Sequence, residues 1–507
     1  MIAVLAVGVV LSCWLGYGGY PVPRGDDDFY KSPAAELATK GRLTIPCLRG
    51  FLPHAEEIFA SYPQGYQVLL SGWYLVFGFS LRSTLAYSFS VHVINAMLIS
   101  IVTARILRDN IDLSQSSRSV IVAATGLVHI ANVAYFDRPE ETALIFIWLE
   151  ILWFRNSATG SIFSGSLASG ILLGLAALIA PWVGVLGALV VVFRQLFLEM
   201  QAHDHSCNHW MTLLGRLGVA GGCAATMTMI WYAVMNHLYP GVVQEQLAAV
   251  FGFIHKDQML DGTSVKLVIA LRTLLFNPRH ILVTVIVVMF FPMFIVSRGW
   301  RQTNPLSMVL YAAAITSILF CALTRPSAYT YLGASQMLLL PCFGPTVSRY
   351  TGRSAGMLGT RLGFAVLILC VVYAFTGIAR LCYQSFHLPT AERPDAVFSR
   401  LREIIPPGAS VATTSRHWYA FQGRNAWLDA YWCSFTDPPE ALKCEWMVLF
   451  RGFGVPESID AFEVVEEPSS QADQDETFAY SVWRRKHFAD HAFQDKTSLD
   501  SQPKDAF

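Results

Sequence analysis

Charge is what this sequence has least of. Only 14% of its 507 residues are Asp, Glu, Lys or Arg, against about 25% in a soluble globular chain. Basic and acidic residues balance at 36 each. No basic patch or stripe stands out, which argues against a nucleic-acid partner. The ten cysteines contain no Cys-x-x-Cys pair, so neither a zinc ribbon nor a dithiol redox motif is encoded. Cys13, Cys223, Cys321, Cys342 and Cys370 sit in apolar runs and read as small buried hydrophobes. The first twenty residues lack the basic start and small-residue cleavage site of a signal peptide, so they read as a retained first span. No soluble-type sequence repeat is found.

What is abundant is apolar sequence. Hydrophobic residues make up 54% of the chain, and the mean hydropathy is +0.43. A span of the hydrocarbon core takes about 20 apolar residues. By that measure spans fall near 1–20, 82–106, 119–136, 140–154, 161–179, 182–199, 210–237, 280–297, 305–323, 329–348 and 362–380, about eleven in all. With residue 1 cytoplasmic, the inner loops hold Arg105, Arg108 and Arg118, then Arg155, Arg194 and Arg216, then Arg298 and Arg301, then Arg349, Arg353 and Arg361. These loops are short and Arg-rich, as the positive-inside rule asks. The other face receives segments 21–81, 137–141 and 238–279 and everything after about 382.

The expected architecture is an all-α polytopic membrane domain over 1–382. Its outer loop 21–81 carries an acidic motif. A small extracytoplasmic α/β domain over 386–485 and a disordered polar tail over 486–507 follow. Within 51–81, Tyr62-Pro63-Gln64-Gly65 should open a helix from Tyr66 to Phe77 that Gly78 closes. Tyr66, Trp73 and Tyr74 suit a membrane interface. In the last domain, 394–405 reads as helix and Pro406-Pro407-Gly408 as a turn. Segments 410–414, 446–450 and 478–483 read as strands, with no phosphate-binding glycine loop among them. Cys433 and Cys444 lie there and would pair if the domain faces an oxidising compartment.

Two acidic clusters carry the chemistry. Asp26-Asp27-Asp28-Phe29-Tyr30 follows the first span. Three adjacent carboxylates repel, so a metal, a cationic substrate or a proton-transfer role would justify them. The plain alternative is a solvated loop capping the next helix. Asp137-Arg138-Pro139-Glu140-Glu141 stands at the outer end of the third span. Pro139 suits the first position of a helix, and the glutamates suit its positive end. Span parity puts both clusters on one membrane face, as a surface active site needs. Cations on the same face are His255, Lys256, Lys266, Arg272, Arg279 and Arg325. They would meet a phosphate group or anchor to lipid headgroups. The run His203, Asp204, His205, Cys207, His209 is dense in ligating types but matches no zinc spacing.

Asp26-Asp27-x-x-Tyr30 with Ala34 and Leu37 is similar to the first outer-loop motif of the GT-C membrane glycosyltransferases. These include the protein O-mannosyltransferases and the bacterial aminoarabinose transferases. Tyr62-Pro63-x-Gly65-Tyr66 with Gly78-x-Ser80 resembles their next signature. Arg138-Pro139-Glu140 resembles their Arg-Pro-Asp, and Gly174-Leu175-Ala176-Ala177-Leu178 a later span. The likeness covers about residues 1–200. It implies a polyprenyl-phosphate sugar donor, and a lipid, glycan or protein acceptor on the extracytoplasmic side. It implies inversion at the anomeric carbon with Asp26 as general base. Asp27 and Glu140 would act with it, with a divalent cation at these two carboxylates as an option. Substrate contacts would come from Asp28, Tyr30, Tyr62, Arg138, Arg272 and Arg325. The chain departs from the family in having Ser61-Tyr62 where the aminoarabinose transferases carry Glu before the proline. The family's Arg-Tyr near the tenth span appears as Thr330-Tyr331. A transporter or flippase is the alternative reading, and it would place ionisable residues along a path near the midplane.

Overall fold

The computed structural model describes residues 2–19, 27–108, 114–131, 138–154, 162–201, 207–258, 305–324, 329–343, 357–387, 393–430, 443–450, 461–466 and 480–486. Asp26, Asp137, His203, Asp204, His205, Lys266, Arg272, Arg279, Arg325, Cys433, the span expected at 280–297 and the tail from 487 lie outside them. The chain divides into two compact units. One combines Met1–Pro21, Ala60–Gly78 and Arg82–Phe386. The other combines Val22–Phe59, Phe79–Leu81 and His387–Phe507. Segment 22–59 thus groups with the C-terminal residues.

The first unit is helical. Its elements are α1 (Ile2–Tyr17), α3 (Gly65–Phe77), α4 (Leu81–Arg108), α5 (Gln115–Ile130), α6 (Pro139–Phe154), α7 (Ile162–Ile179), α8 (Pro181–Gln201), α9 (Cys207–Leu238), α10 (Val242–Gln258), α11 (Pro305–Thr324), α12 (Tyr329–Met337) and α13 (Met357–His387). α2 (Asp27–Lys40) belongs to the second unit. Among the described residues, 81–108, 210–238 and 367–387 are long and apolar enough to cross a membrane, and four more apolar helices are shorter. α9 and α13 expose Met229, Ile230, Val234, Phe364, Ile368, Val372 and Phe375 along their lengths. Apolar surface on that scale faces lipid in an integral membrane protein. Of the span expected at 329–348, residues 329–343 are described. α12 has nine residues, about 13 Å of helix. A 3-10 turn at Leu340–Cys342, with Pro341 in its first positions, follows.

α7 packs most extensively on α9, then on α6 and α8. Small residues make this possible. A Cβ on Gly170 would lie 2.6 Å from Cys223 Cβ and 2.7 Å from the Ala220 carbonyl oxygen, so the two backbones touch there. A buried ion pair ties α6 to α8. Arg194 Nη1 reaches Glu150 Oε1 at 2.6 Å, and Ser169 Oγ of α7 donates to the same oxygen at 2.8 Å. Arg105 Nη1 donates to the Leu152 carbonyl at 2.7 Å, occupying an acceptor that the end of α6 leaves open. α3 runs as expected and ends at Gly78, whose φ of 78° demands glycine. Its tyrosines do not serve the interface, however. Tyr66 and Tyr74 are buried, Tyr74 bonding Thr84 Oγ1 at 2.7 Å. The exposed face is Val68, Leu69, Leu75, Val76 and Phe77.

The second unit holds α2 (Asp27–Lys40), α14 (Pro394–Ile404) and a five-stranded mixed sheet. Its strands are β1 (Ser410–Thr413), β2 (Ala426–Asp429), β3 (Trp446–Phe450), β4 (Phe462–Glu466) and β5 (Tyr480–Arg485). The order is β2-β1-β3-β5-β4. β1 pairs in parallel with β2 and β3, and the remaining pairs are antiparallel. Ala412, Leu428, Met447, Leu449 and Phe462 form one core with Cys444. α14 is amphipathic, burying Val397, Phe398 and Leu401, and packs on the 3-10 turn Trp418–Ala420. Arg402 fixes that turn by donating to the carbonyls of Tyr419 and Ala420, each at 3.0 Å.

Candidate functional site

Each unit gathers one group of polar side chains that the sequence points to. In the second unit, Asp27 and Asp28 open α2, where carboxylates meet the positive end of the helix dipole. Asp27 is buried, and its Oδ1 takes the ammonium of Lys31 one turn on. Its Oδ2 accepts the Tyr419 hydroxyl at 3.4 Å. Lys31 is itself buried, so losing either partner would strand a charge away from water. Asp28 has no exposed surface. Its Oδ1 accepts the Phe29 amide at 2.9 Å. Burial pushes its pKa well above 3.8, and the charge of Asp429, a hydrogen bond with that carboxyl and the charge of Asp27 push the same way. Asp28 is thereby driven toward its protonated form, the form that donates to Asp429. Asp429 ends β2 and is also buried. Half-buried Tyr30 meets Phe29 edge-on at 5.1 Å. Beside this cluster lies a cleft of 370 Å³ lined by Ser32, Glu36, Lys40, Arg49, Glu56 and Gln422 among others. Glu36 is held there by Lys40 at 2.9 Å and by Gln422 Nε2 at 2.7 Å.

In the first unit, Pro139 starts α6 and puts Glu140 and Glu141 in its first turn, as expected. The two glutamates then part. Glu140 meets Arg138 Nε at 3.4 Å. Glu141 turns inward, where Asn95 Nδ2 donates to its Oε2 at 2.8 Å and to its backbone carbonyl at 2.7 Å. The rings of His92 and His129 stack at 4.0 Å beside it. His92 Nδ1 lies 3.8 Å and His129 Nε2 3.6 Å from Glu141 Oε2. The ligating atoms of these three residues all lie within 4.8 Å of one another. Half-buried Tyr62 precedes α3 in this unit.

Asp27, Asp28 and Tyr30 thus meet partners within the second unit, and Arg138 meets Glu140 within the first. Asp26, Arg272 and Arg325 lie outside the described residues. Lys31, Tyr419 and Asp429 in one group, and Asn95, His92 and His129 in the other, are members that the sequence alone does not single out. A signal existed for some of them. Lys31 stands four residues after Asp27. His92 and Asn95 share one face of an otherwise apolar helix, and an ionisable group in such a helix is functional by default. Asp429 carries no such mark.

No protein-family model matches the sequence, and no curated protein does. Solved structures match. ArnT from Cupriavidus metallidurans in the apo state superposes with a TM-score of 0.62 at 13% identity, over 95% of this chain and 97% of that one. The fold is GT-C. ArnT from the same organism bound to undecaprenyl phosphate gives the same score and identity over 96% and 98%. The GT-C likeness therefore runs almost the whole length of the chain, well past the residues 1–200 that carry the motifs.

Proposed function

We propose that this GT-C chain is a membrane glycosyltransferase. It would move a sugar from a polyprenyl-phosphate carrier to an acceptor hydroxyl on a lipid, glycan or protein at the extracytoplasmic face. The observation that supports this best is the fold shared, over 96% of the chain, with ArnT bound to undecaprenyl phosphate.

In the proposed reaction Asp26 takes the acceptor proton as the hydroxyl oxygen attacks the anomeric carbon. The new C–O bond forms as the bond to the phosphate oxygen breaks. The configuration inverts and the lipid phosphate leaves. Base and attack must be concerted because a hydroxyl is a weak acid. Asp27, buried against Lys31 and Tyr419, gives a fixed frame to the start of α2, the next position after Asp26 in the chain. Asp28, enclosed with Asp429, braces that helix start from within. Glu140 acts with the base, Arg138 orients Glu140, and Tyr30 and Tyr62 contact substrate. Arg272 and Arg325 take up the charge that develops on the phosphate. The scheme places no metal at Asp27 or Glu140, because Lys31 and Arg138 already balance those carboxylates.

The test uses the full chain in liposomes holding a polyprenyl-phosphate sugar. Addition of acceptor should release free polyprenyl phosphate and glycosylated acceptor in equal amounts. Asp26→Asn should slow this by about 10²–10⁴-fold, the usual worth of a general base. Wild-type rates in the Asp26→Asn variant would remove the assigned base. Sugar-lipid counterflow without acceptor, and with no lipid phosphate released, would replace the enzyme by a transporter.

A further inference from the structure

His92, His129 and Glu141 are 3%, 1% and 4% exposed, and one ligating atom from each lies within 4.8 Å of the others. His92 Nδ1, His129 Nε2 and Glu141 Oε1 have no hydrogen-bond partner there. Their separations from Glu141 Oε2, 3.8 and 3.6 Å for the two ring nitrogens, are too long for a direct N–H···O bond. Buried polar atoms left in this way call for an explanation, such as an ion. Donor atoms held tetrahedrally about 2.05 Å from Zn²⁺ stand about 3.3 Å apart. The two ring nitrogens' distances from Glu141 Oε2, 3.8 and 3.6 Å, are within about half an ångström of that.

The surroundings are those of a ligand set. His92 Nε2 lies 2.7 Å from the His129 carbonyl oxygen, which can only accept. The proton therefore sits on Nε2, and Nδ1 carries the free lone pair that faces the group. Metal-binding histidines are commonly fixed in this way by a backbone carbonyl. Asn95 holds Glu141 by its side chain and by its backbone, the role of an outer-shell partner to a ligating carboxylate. Two imidazoles and one carboxylate suit a borderline cation of the Zn²⁺ class. Three protein ligands leave a fourth position for water.

We propose that His92 Nδ1, His129 Nε2 and the Glu141 carboxylate bind one divalent transition-metal ion. The ion joins α4, the end of α5 and the start of α6 next to Glu140. These ligands differ from the Asp27 and Glu140 that the family resemblance implies. The proposal does not depend on sugar transfer, because metal content is read without turnover.

The experiment strips purified full chain in detergent with EDTA, loads it with Co²⁺ or Zn²⁺ and passes it through gel filtration. About one ion per chain should remain, and bound Co²⁺ should show the intense visible bands of tetrahedral coordination. His129→Ala and Glu141→Gln should retain only background metal. Asn95→Ala should weaken binding by about 10–100-fold, and it tests the site if a ligand variant fails to fold. A His203→Ala/His205→Ala control should keep its ion. A wild-type chain that holds no Co²⁺ overturns the proposal. So does unchanged binding in both His129→Ala and Asn95→Ala, or loss of the ion in the His203→Ala/His205→Ala control alone.

Discussion

Replacing Asp28 by asparagine should stabilise the second unit, and by an amount that grows with pH. The carboxyl is fully enclosed and lies against Asp429. In the folded chain it holds its proton well above 3.8, whereas the unfolded chain releases it near that value. Its contribution to stability is therefore fully present below pH 3.8 and is lost as pH rises through the folded pKa. Each pH unit in that window removes about 1.4 kcal/mol. An asparagine side chain has no carboxyl proton to lose, and its amide can still donate to Asp429. The difference between the two proteins should thus widen from pH 5 upward and level off where Asp28 ionises. Hydrogen exchange on peptides covering 27–40 and 426–430 measures it. Comparing the two proteins at the same pH cancels the intrinsic rate. A difference that stays flat from pH 5 to 8 refutes the enclosed, protonated Asp28, as does a variant less stable throughout.

Removing one member of the Glu150–Arg194 pair, as in Glu150→Leu, should cost about 3–5 kcal/mol, because the other charge stays buried. The double variant Glu150→Leu/Arg194→Leu should recover most of that in thermal unfolding in detergent. Gly170→Ala should cost about 1–3 kcal/mol through overpacking against Ala220 and Cys223, read as a lower midpoint for the α7–α9 pair. The Tyr480 hydroxyl is pushed up to about 12 by burial and then by Glu466. The sheet should therefore lose stability between pH 10 and 12, and Tyr480→Phe should flatten that decline.

The helices were the most legible part of the sequence, because an apolar run of membrane length has few other uses. Where reading failed, length and context were at fault. In the run at 329–348, Pro341 and a 3-10 turn interrupt the regular α-helix that an apolar run suggests. Tyr66 and Tyr74 have the amphipathic chemistry of interface residues, yet hydroxyl partners such as Thr84 let them sit inside. β2 is four residues long and β4 reads Phe-Glu-Val-Val-Glu with no two-residue alternation, so neither looks like a strand until its neighbours pair with it. The acidic clusters were visible because like charges in sequence are conspicuous. Asp429 and His129 reach their groups only through tertiary contact. Their partners lie hundreds of residues away in one case and on two other helices in the other.

Segment 22–59 and the C-terminal sheet share one unit, and this sets an order on biosynthesis. Tyr419 meets Asp27 across 392 positions, and Gln422 meets Glu36 across 386. At about 5–20 residues per second, a ribosome needs roughly 20–80 s to travel from the first partner to the second. For that interval α2 carries a buried-type Lys31 and carboxylates with their distant partners still unmade. Nascent chains halted before residue 410 should leave α2 open to protease, and completion of β1 and β2 should close it.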